Sequence, residues 1–283
     1  MTDSNSGIGK AEAEKLGVFV LPMPVIIDGK IYYEGVDLDQ KTFYESLTGG
    51  RDVSTSQPSP GDVMELWDRV LSAGYDELVY IPMSSGLSSS CATAVSLAAD
   101  YNGKVEVADN HRISVTMHVS VLEAVSMAKA GMPAREIRES LERRAYDSSI
   151  YIAVDDLKYL KKGGRITPAA AALGMVLSVK PVLSIQGGKL DAFAKTRGMK
   201  KAKEIMLKAL KEDLDTRFAG TDPARIRIGA AGAGLTGEQE QQWREMLAQT
   251  FPQFEVYYDP LSFSVGSHTG PNAYGMGLSV MPE

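Results

Sequence analysis

Glu77-Leu78-Val79-Tyr80-Ile81-Pro82-Met83 is a short apolar run that stops at Ser84-Ser85-Gly86-Leu87-Ser88 and passes into Ser89-Ser90-Cys91-Ala92-Thr93-Ala94-Val95. A buried strand that ends in a small-residue turn and gives way to a helix is the repeating unit of an α/β protein. The same alternation extends outward from it. Helical periodicity precedes it over residues 63–73, the helix after the turn runs to about residue 100, and a strand is expected at 105–108. Helices follow over 112–130 and 134–146. A mainly parallel sheet flanked by helices is the expected N-terminal architecture.

Upstream, the β-rich run from Val18 to Ile27 meets Asp28-Gly29 and then Ile31-Tyr32-Tyr33, which reads as two strands joined by a tight turn. Residues 49–61, with Pro58, Pro60 and several hydroxyls, read as a loop. Downstream, a strand at 150–154 opens a second set. Helices are expected over 155–161, 168–177, 198–215 and 237–249, strands over 179–185, 226–231 and 254–258, a hairpin at Gly187-Gly188, and a glycine-rich tail after residue 263. The expected organisation is two α/β domains, residues 1–148 and 149–283, with a ligand cleft between them.

Composition agrees with a folded globular chain: of 283 residues 44% are hydrophobic and 23% charged, and the net charge is −6. The charges are scattered, with no basic stripe for a phosphate backbone, so nucleic acid is not an expected partner. Cys91 stands alone, and His111, His118 and His268 show no metal-ligand spacing, which points to a reducing, cytoplasmic setting and no metal. No apolar run approaches the ~18 residues of a membrane span, and the first five residues lack the basic and apolar regions of a secretory signal.

Four segments could carry chemistry. Ser84 to Ser88 lies where a strand ends and a helix begins, the position at which open α/β sheets hold ligands and helix N–H groups attract anions; the alternative is a helix cap with turn filler. Thr55-Ser56-Gln57 brings hydroxyl and amide groups that a capped start at Ser59 or Asp62 does not use. Gly163-Gly164-Arg165 ends a helix and can aim a guanidinium at a carboxylate or phosphate, or leave it in solvent. His268 stands apart from any core stripe, whereas His111 and His118, seven apart, read as packed or solvent-facing.

A fifth segment, Gly232-Ala233-Gly234-Leu235-Thr236-Gly237, formally matches the dinucleotide fingerprint, with Asp259 at the next strand end. Thr236 and Gln239 also form an ordinary capping box, and the unit sits late in the chain. A dinucleotide-binding enzyme using this turn is therefore the alternative function.

Taken in order, Thr2-Asp3-Ser4, Thr55-Ser56-Gln57-Pro58-Ser59, Ser84-Ser85-Gly86-Leu87-Ser88, Gly163-Gly164-Arg165-Ile166 and His268-Thr269-Gly270-Pro271 resemble the signature of the DegV family of bacterial fatty-acid-binding proteins, over nearly the whole chain. The resemblance implies a two-domain α/β protein that holds one long-chain fatty acid, such as palmitate, stearate or oleate, with its acyl chain buried and its carboxylate at the domain interface. It further implies no turnover and no cofactor. The acid would be presented to a separate fatty acid kinase, which makes an acyl phosphate for phospholipid synthesis, with transient membrane-surface contact left open.

Carried over by motif, Thr55 and Ser85 would hydrogen-bond the carboxylate, with Ser56 and Ser84 beside them. Gly86 would let backbone approach, and Arg165 and His268 would hold charge or engage the phosphoryl group. The helix at 168–177 is the expected wall of the acyl slot, with Met175 adapting its shape. This chain departs from the family pattern in three places: Met1 stands directly before the Thr-Asp-Ser triplet where a strand is usual, Ser89-Ser90 replace Gly-Thr, and Asn272 stands where glycine is common.

Overall fold

The computed structural model describes residues 1–173 and 179–282. In the N-terminal half, Ser59 Oγ accepts the Asp62 N–H at 3.0 Å and Pro60 fills the first turn, which starts the helix Pro60–Ser72. Its apolar stripe of Val63, Leu66, Trp67 and Val70 is buried against the parallel strands Leu78–Tyr80 and Val105–Val107. Thr2 bridges Ile81 in parallel, and Thr2–Asp3 pairs with Val20–Leu21, which continues the parallel arrangement. The α/β expectation from the Glu77–Ser88 stretch holds here.

Two local expectations change. The apolar run 18–27 is not one strand: after Pro22-Met23 its second part, Pro24–Ile27, leaves for a separate antiparallel sheet with Lys30–Tyr33 and Val53–Thr55. The turn between Pro24–Ile27 and Lys30–Tyr33 has positive φ at both Asp28 and Gly29, as a tight hairpin demands. Residues 53–55, expected as loop, are a strand because Ile27 and Val25 offer them a backbone edge; three residues carry no periodicity of their own.

The C-terminal half is built on six strands in the order Asp191–Thr196, Lys180–Ile185, Ser148–Ala153, Ala273–Val280, Ile226–Ala233 and Val256–Pro260. Every neighbouring pair is antiparallel except the last. The expected glycine-rich tail supplies the helix Phe263–Thr269 and the central strand Ala273–Val280, whose glycines hide it from a propensity reading. That late strand, inserted antiparallel between two earlier ones, is why this half is mixed.

The two faces of the sheet are covered differently. Helices Met199–Asp215 and Gly237–Thr250 cover one, burying Met206, Leu210, Trp243 and Leu247. Ser114–Lys129, from the N-terminal half, lies on the other. It comes close because Gly229 and Gly277 lack side chains: a Cβ at either would stand 2.5 or 2.8 Å from Val115 atoms.

A buried polar clamp joins the halves. Asp3, with no solvent exposure, accepts from Asn5 N, Asn5 Nδ2 and Met83 N, each at 2.9 Å. Asn5 Oδ1 in turn accepts from Ser262 Oγ at 2.7 Å and Ser264 Oγ at 2.9 Å. Desolvation pushes the Asp3 carboxyl up to about 6 in spite of these donors. Replacing the carboxylate leaves three buried donors unmatched, so Asp3→Ala is expected to lower stability by roughly 3 kcal/mol in urea denaturation. An unchanged midpoint and slope would show that the clamp contributes nothing.

Candidate functional site

Between the Ser114–Lys129 side of the large sheet and the N-terminal half lies an apolar slot. It encloses about 820 Å³ of space between atoms, its mouth included. Ile150, Ile152 and Ala231 form its floor on the sheet, and Met83, Leu87 and Ile113 face them.

One end of the slot is polar. Thr55 closes the strand Val53–Thr55, which Val25 holds in register. His268 is carried by the helix Phe263–Thr269, capped by Ser262. These residues, 213 apart in sequence, meet at 2.9 Å between Thr55 Oγ1 and His268 Nε2. The approach depends on Gly163, where a Cβ would stand 2.0 Å from His268 Nδ1. Gly163 ends the helix Lys158–Gly163, and Gly164 caps it in the left-handed conformation with its N–H on Leu160 O.

Arg165, next along, turns back to the same place. Its Nε donates to Leu87 O at 3.2 Å and its Nη1 to Gly163 O at 2.5 Å. Among the described residues no carboxylate pairs with it, so its charge is available to an anion at the mouth of the slot. Lys162 ties this helix to the other half through Asp52 Oδ1 at 2.8 Å and Val53 O at 3.1 Å.

A family model described as "Uncharacterised protein, DegV family" matches residues 1–281. The chain belongs to the DegV family. A DegV domain-containing protein of Listeria innocua is 30% identical over 285 residues, 99% of this chain and 97% of the relative. Among solved structures, one reporting fatty acid binding of a DegV family protein from Thermus thermophilus superposes with a TM-score of 0.88 at 31% identity, covering 99% of this chain and 98% of that one. DegV of Bacillus subtilis, described as a fatty acid binding protein, gives 0.84 at 28% identity, with coverage of 99% and 97%.

Of the DegV motif residues, the fold brings Thr55, Ser56, Arg165 and His268 together on the slot and leaves three others out of its wall. Ser84 is fully buried, and its Oγ donates to Gly187 O at 2.5 Å across the halves. Ser85 is exposed, and its N–H is taken by Asp109 Oδ1 at 3.2 Å. Gly86 is required because Gly187 O would lie 2.4 Å from a Cβ there, and its N–H goes to Ser84 Oγ. Leu87 N and Ser88 N both donate to Ser84 O. The turn therefore spends its own N–H groups and is a junction between the halves rather than an anion cradle.

Gln57, read as free for a ligand, accepts from Thr93 Oγ1 at 3.0 Å. The expected wall helix contributes Pro168–Leu173, of which Ala170 packs in the surrounding core without lining the slot; Met175 lies outside the described residues. His268 sits in a packed helix, not a flexible tail. His118 lies between Asp259 Oδ2 at 2.7 Å and Glu12 Oε1 at 3.1 Å, far from any ligand role.

The wall also includes Ser88 and Thr269, which lie in the quoted motifs without an assigned role, and Ser114 and Ser264, which sequence reasoning missed. Each lies in a helix start, a loop or the tail, where a hydroxyl has an ordinary local explanation. Asn272, substituted for a common glycine, has φ of +57°, a left-handed value that asparagine tolerates best among ordinary residues.

The dinucleotide fingerprint is filled from within. A Cβ on Gly232 would stand 2.3 Å from Leu235 Cδ1, and one on Gly234 would stand 2.9 Å from Tyr44 Cε1. The Thr236–Gln239 capping box is complete in both directions, and Asp259 is engaged by His118. These glycines make room for side chains of this chain.

Burial, and then the nearby charge of Arg165, push the His268 imidazole down to about 4, so it is neutral at pH 7 and Arg165 alone supplies positive charge. A His268 resonance followed by NMR is expected to titrate near pH 4 in protein freed of ligand, and Arg165→Ala is expected to raise that midpoint. Because the folded value is depressed, the neutral ring favours the fold above about pH 6.5, and that contribution fades as pH falls toward 4. A midpoint near 6.5 would mean that the ring is solvated.

Proposed function

We propose that this protein binds one long-chain fatty acid, with the acyl chain in the slot and the carboxylate at Thr55, Ser56, Arg165 and His268. The carrying observation is an apolar slot whose wall includes the Arg165 guanidinium, which pairs with no carboxylate among the described residues, beside Thr55 and His268. The fatty acid binding described for the Thermus thermophilus and Bacillus subtilis relatives supports it. A carboxylate leaving water needs charge-assisted donors, which Arg165 and the Thr55 hydroxyl supply. Burying a C16 chain at ~0.8 kcal/mol per CH₂ gives roughly 10 kcal/mol before ordering costs, enough for the acid to co-purify.

The protein itself performs no turnover in this reading. It presents the carboxylate to a separate fatty acid kinase that forms the acyl phosphate for phospholipid synthesis. Arg165, charged and at the mouth, is the residue suited to the developing phosphoryl charge. Thr55, fixed by His268, is suited to orienting the carboxylate.

Native mass spectrometry of the purified protein is expected to show one added fatty acid, released on denaturation. Thr55→Ala and Gly163→Ala are expected to loosen that acid by about tenfold, the loss of one charge-assisted hydrogen bond. Gly163→Ala acts by displacing His268. Arg165→Ala is expected to slow phosphorylation by the kinase more than it weakens retention. A protein that is empty and takes up none of palmitate, stearate or oleate would overturn the reading.

A further inference from the structure

Ser88, Ser264 and Thr269 in the slot wall each carry a hydroxyl that is hydrogen-bonded within the protein. Ser114 is 8% exposed and lines the slot, and its Oγ has no hydrogen-bond partner. It is the first residue of the sixteen-residue helix Ser114–Lys129. The N–H groups of a helix's first turn have no acceptor within the helix, and Ile113, at the cap position, supplies none. Ser114 also has φ of +54°, a conformation that costs a non-glycine residue free energy and that fixes where its side chain goes.

Its position separates it from the carboxylate end. Val115 packs over Gly277, which pairs with Ile150, whereas the His268 helix runs into the same strand at Ala273. Four residues of strand separate the two, or roughly 13 Å. An unpartnered hydroxyl at a helix N-terminus thus stands in the slot wall, away from the strand end that His268 approaches. In an otherwise hydrocarbon wall, an unmatched hydroxyl is a cost unless a ligand oxygen meets it.

We propose that Ser114 and the N-terminus of its helix form a second polar subsite, which takes an oxygen carried along the acyl chain, so that the slot prefers a hydroxy or oxo fatty acid to the plain one. The Ser114 hydroxyl and a first-turn N–H donate to that oxygen. This inference rests on the fatty acid reading above.

The test uses the full chain stripped of lipid and titrated with stearate, 2-hydroxystearate, 10-hydroxystearate, 12-hydroxystearate and 10-oxostearate, by calorimetry. At least one mid-chain oxygenated acid is expected to bind about tenfold more tightly than stearate, while 2-hydroxystearate, whose oxygen stays at the carboxylate, gains nothing. Ser114→Gly, which accepts the positive φ, and Ser114→Ala are both expected to abolish that preference, so that the oxygenated acid binds each variant no more tightly than stearate binds the same variant. Stearate bound as tightly as every oxygenated acid would overturn the subsite, and so would an equal loss for all acids in Ser114→Gly. Failure of every acid to bind would overturn both this inference and the fatty acid reading.

Discussion

Among the described residues no cation pairs with the buried Asp3 carboxylate, and three N–H donors are what make that burial tolerable. Those donors belong to the N-terminal turn and to Met83, at the end of the strand whose neighbours line the slot. Through Asn5 the same network reaches Ser262 and Ser264, and so fixes the start of the helix that carries His268. Segments from the beginning, middle and end of the chain meet there. The slot exists because this clamp and the Ser84–Gly187 contact hold the N-terminal half at a set distance from the sheet.

That distance decides the chemistry. The exposed face of the six-stranded sheet would be an aggregation hazard in water, and the N-terminal half covers it without filling it. What is left is apolar and carries in its wall Thr55, Arg165 and His268, groups that suit a carboxylate. Burial keeps His268 neutral, so a single guanidinium governs the charge at the mouth.

Sequence motifs identified the polar end unevenly, and the reason lies in backbone hydrogen bonds. Gly163-Gly164-Arg165 was legible because a helix ending in glycine must turn, and the residue after the turn is placed by it. Thr55 was legible as a hydroxyl without a local task. Ser84, Ser85 and Gly86 look the same on paper, yet their N–H groups are consumed by Arg112 O, Asp109 Oδ1 and Ser84 Oγ, and the absent Cβ of Gly86 makes room for Gly187. The Gly232–Gly237 turn misleads in the same manner, since glycine admits either a ligand or a neighbouring side chain, and here Leu235 and Tyr44 take the space.

By itself the sequence determined the strand–turn–helix units of the N-terminal half, the hairpin at Asp28-Gly29, the helix caps at Ser59 and Thr236, and the family, because each rests on short-range geometry or on ordered motifs. Tertiary structure alone decided that Ala273–Val280 is a central strand, that residues 53–55 join a sheet, and that the serine turn is a junction between the halves. It also brought Thr55 to His268 across 213 residues and set Ser114 in the wall of the slot. Those outcomes depend on which backbone edges and side chains arrive from elsewhere, and local propensity holds no record of that.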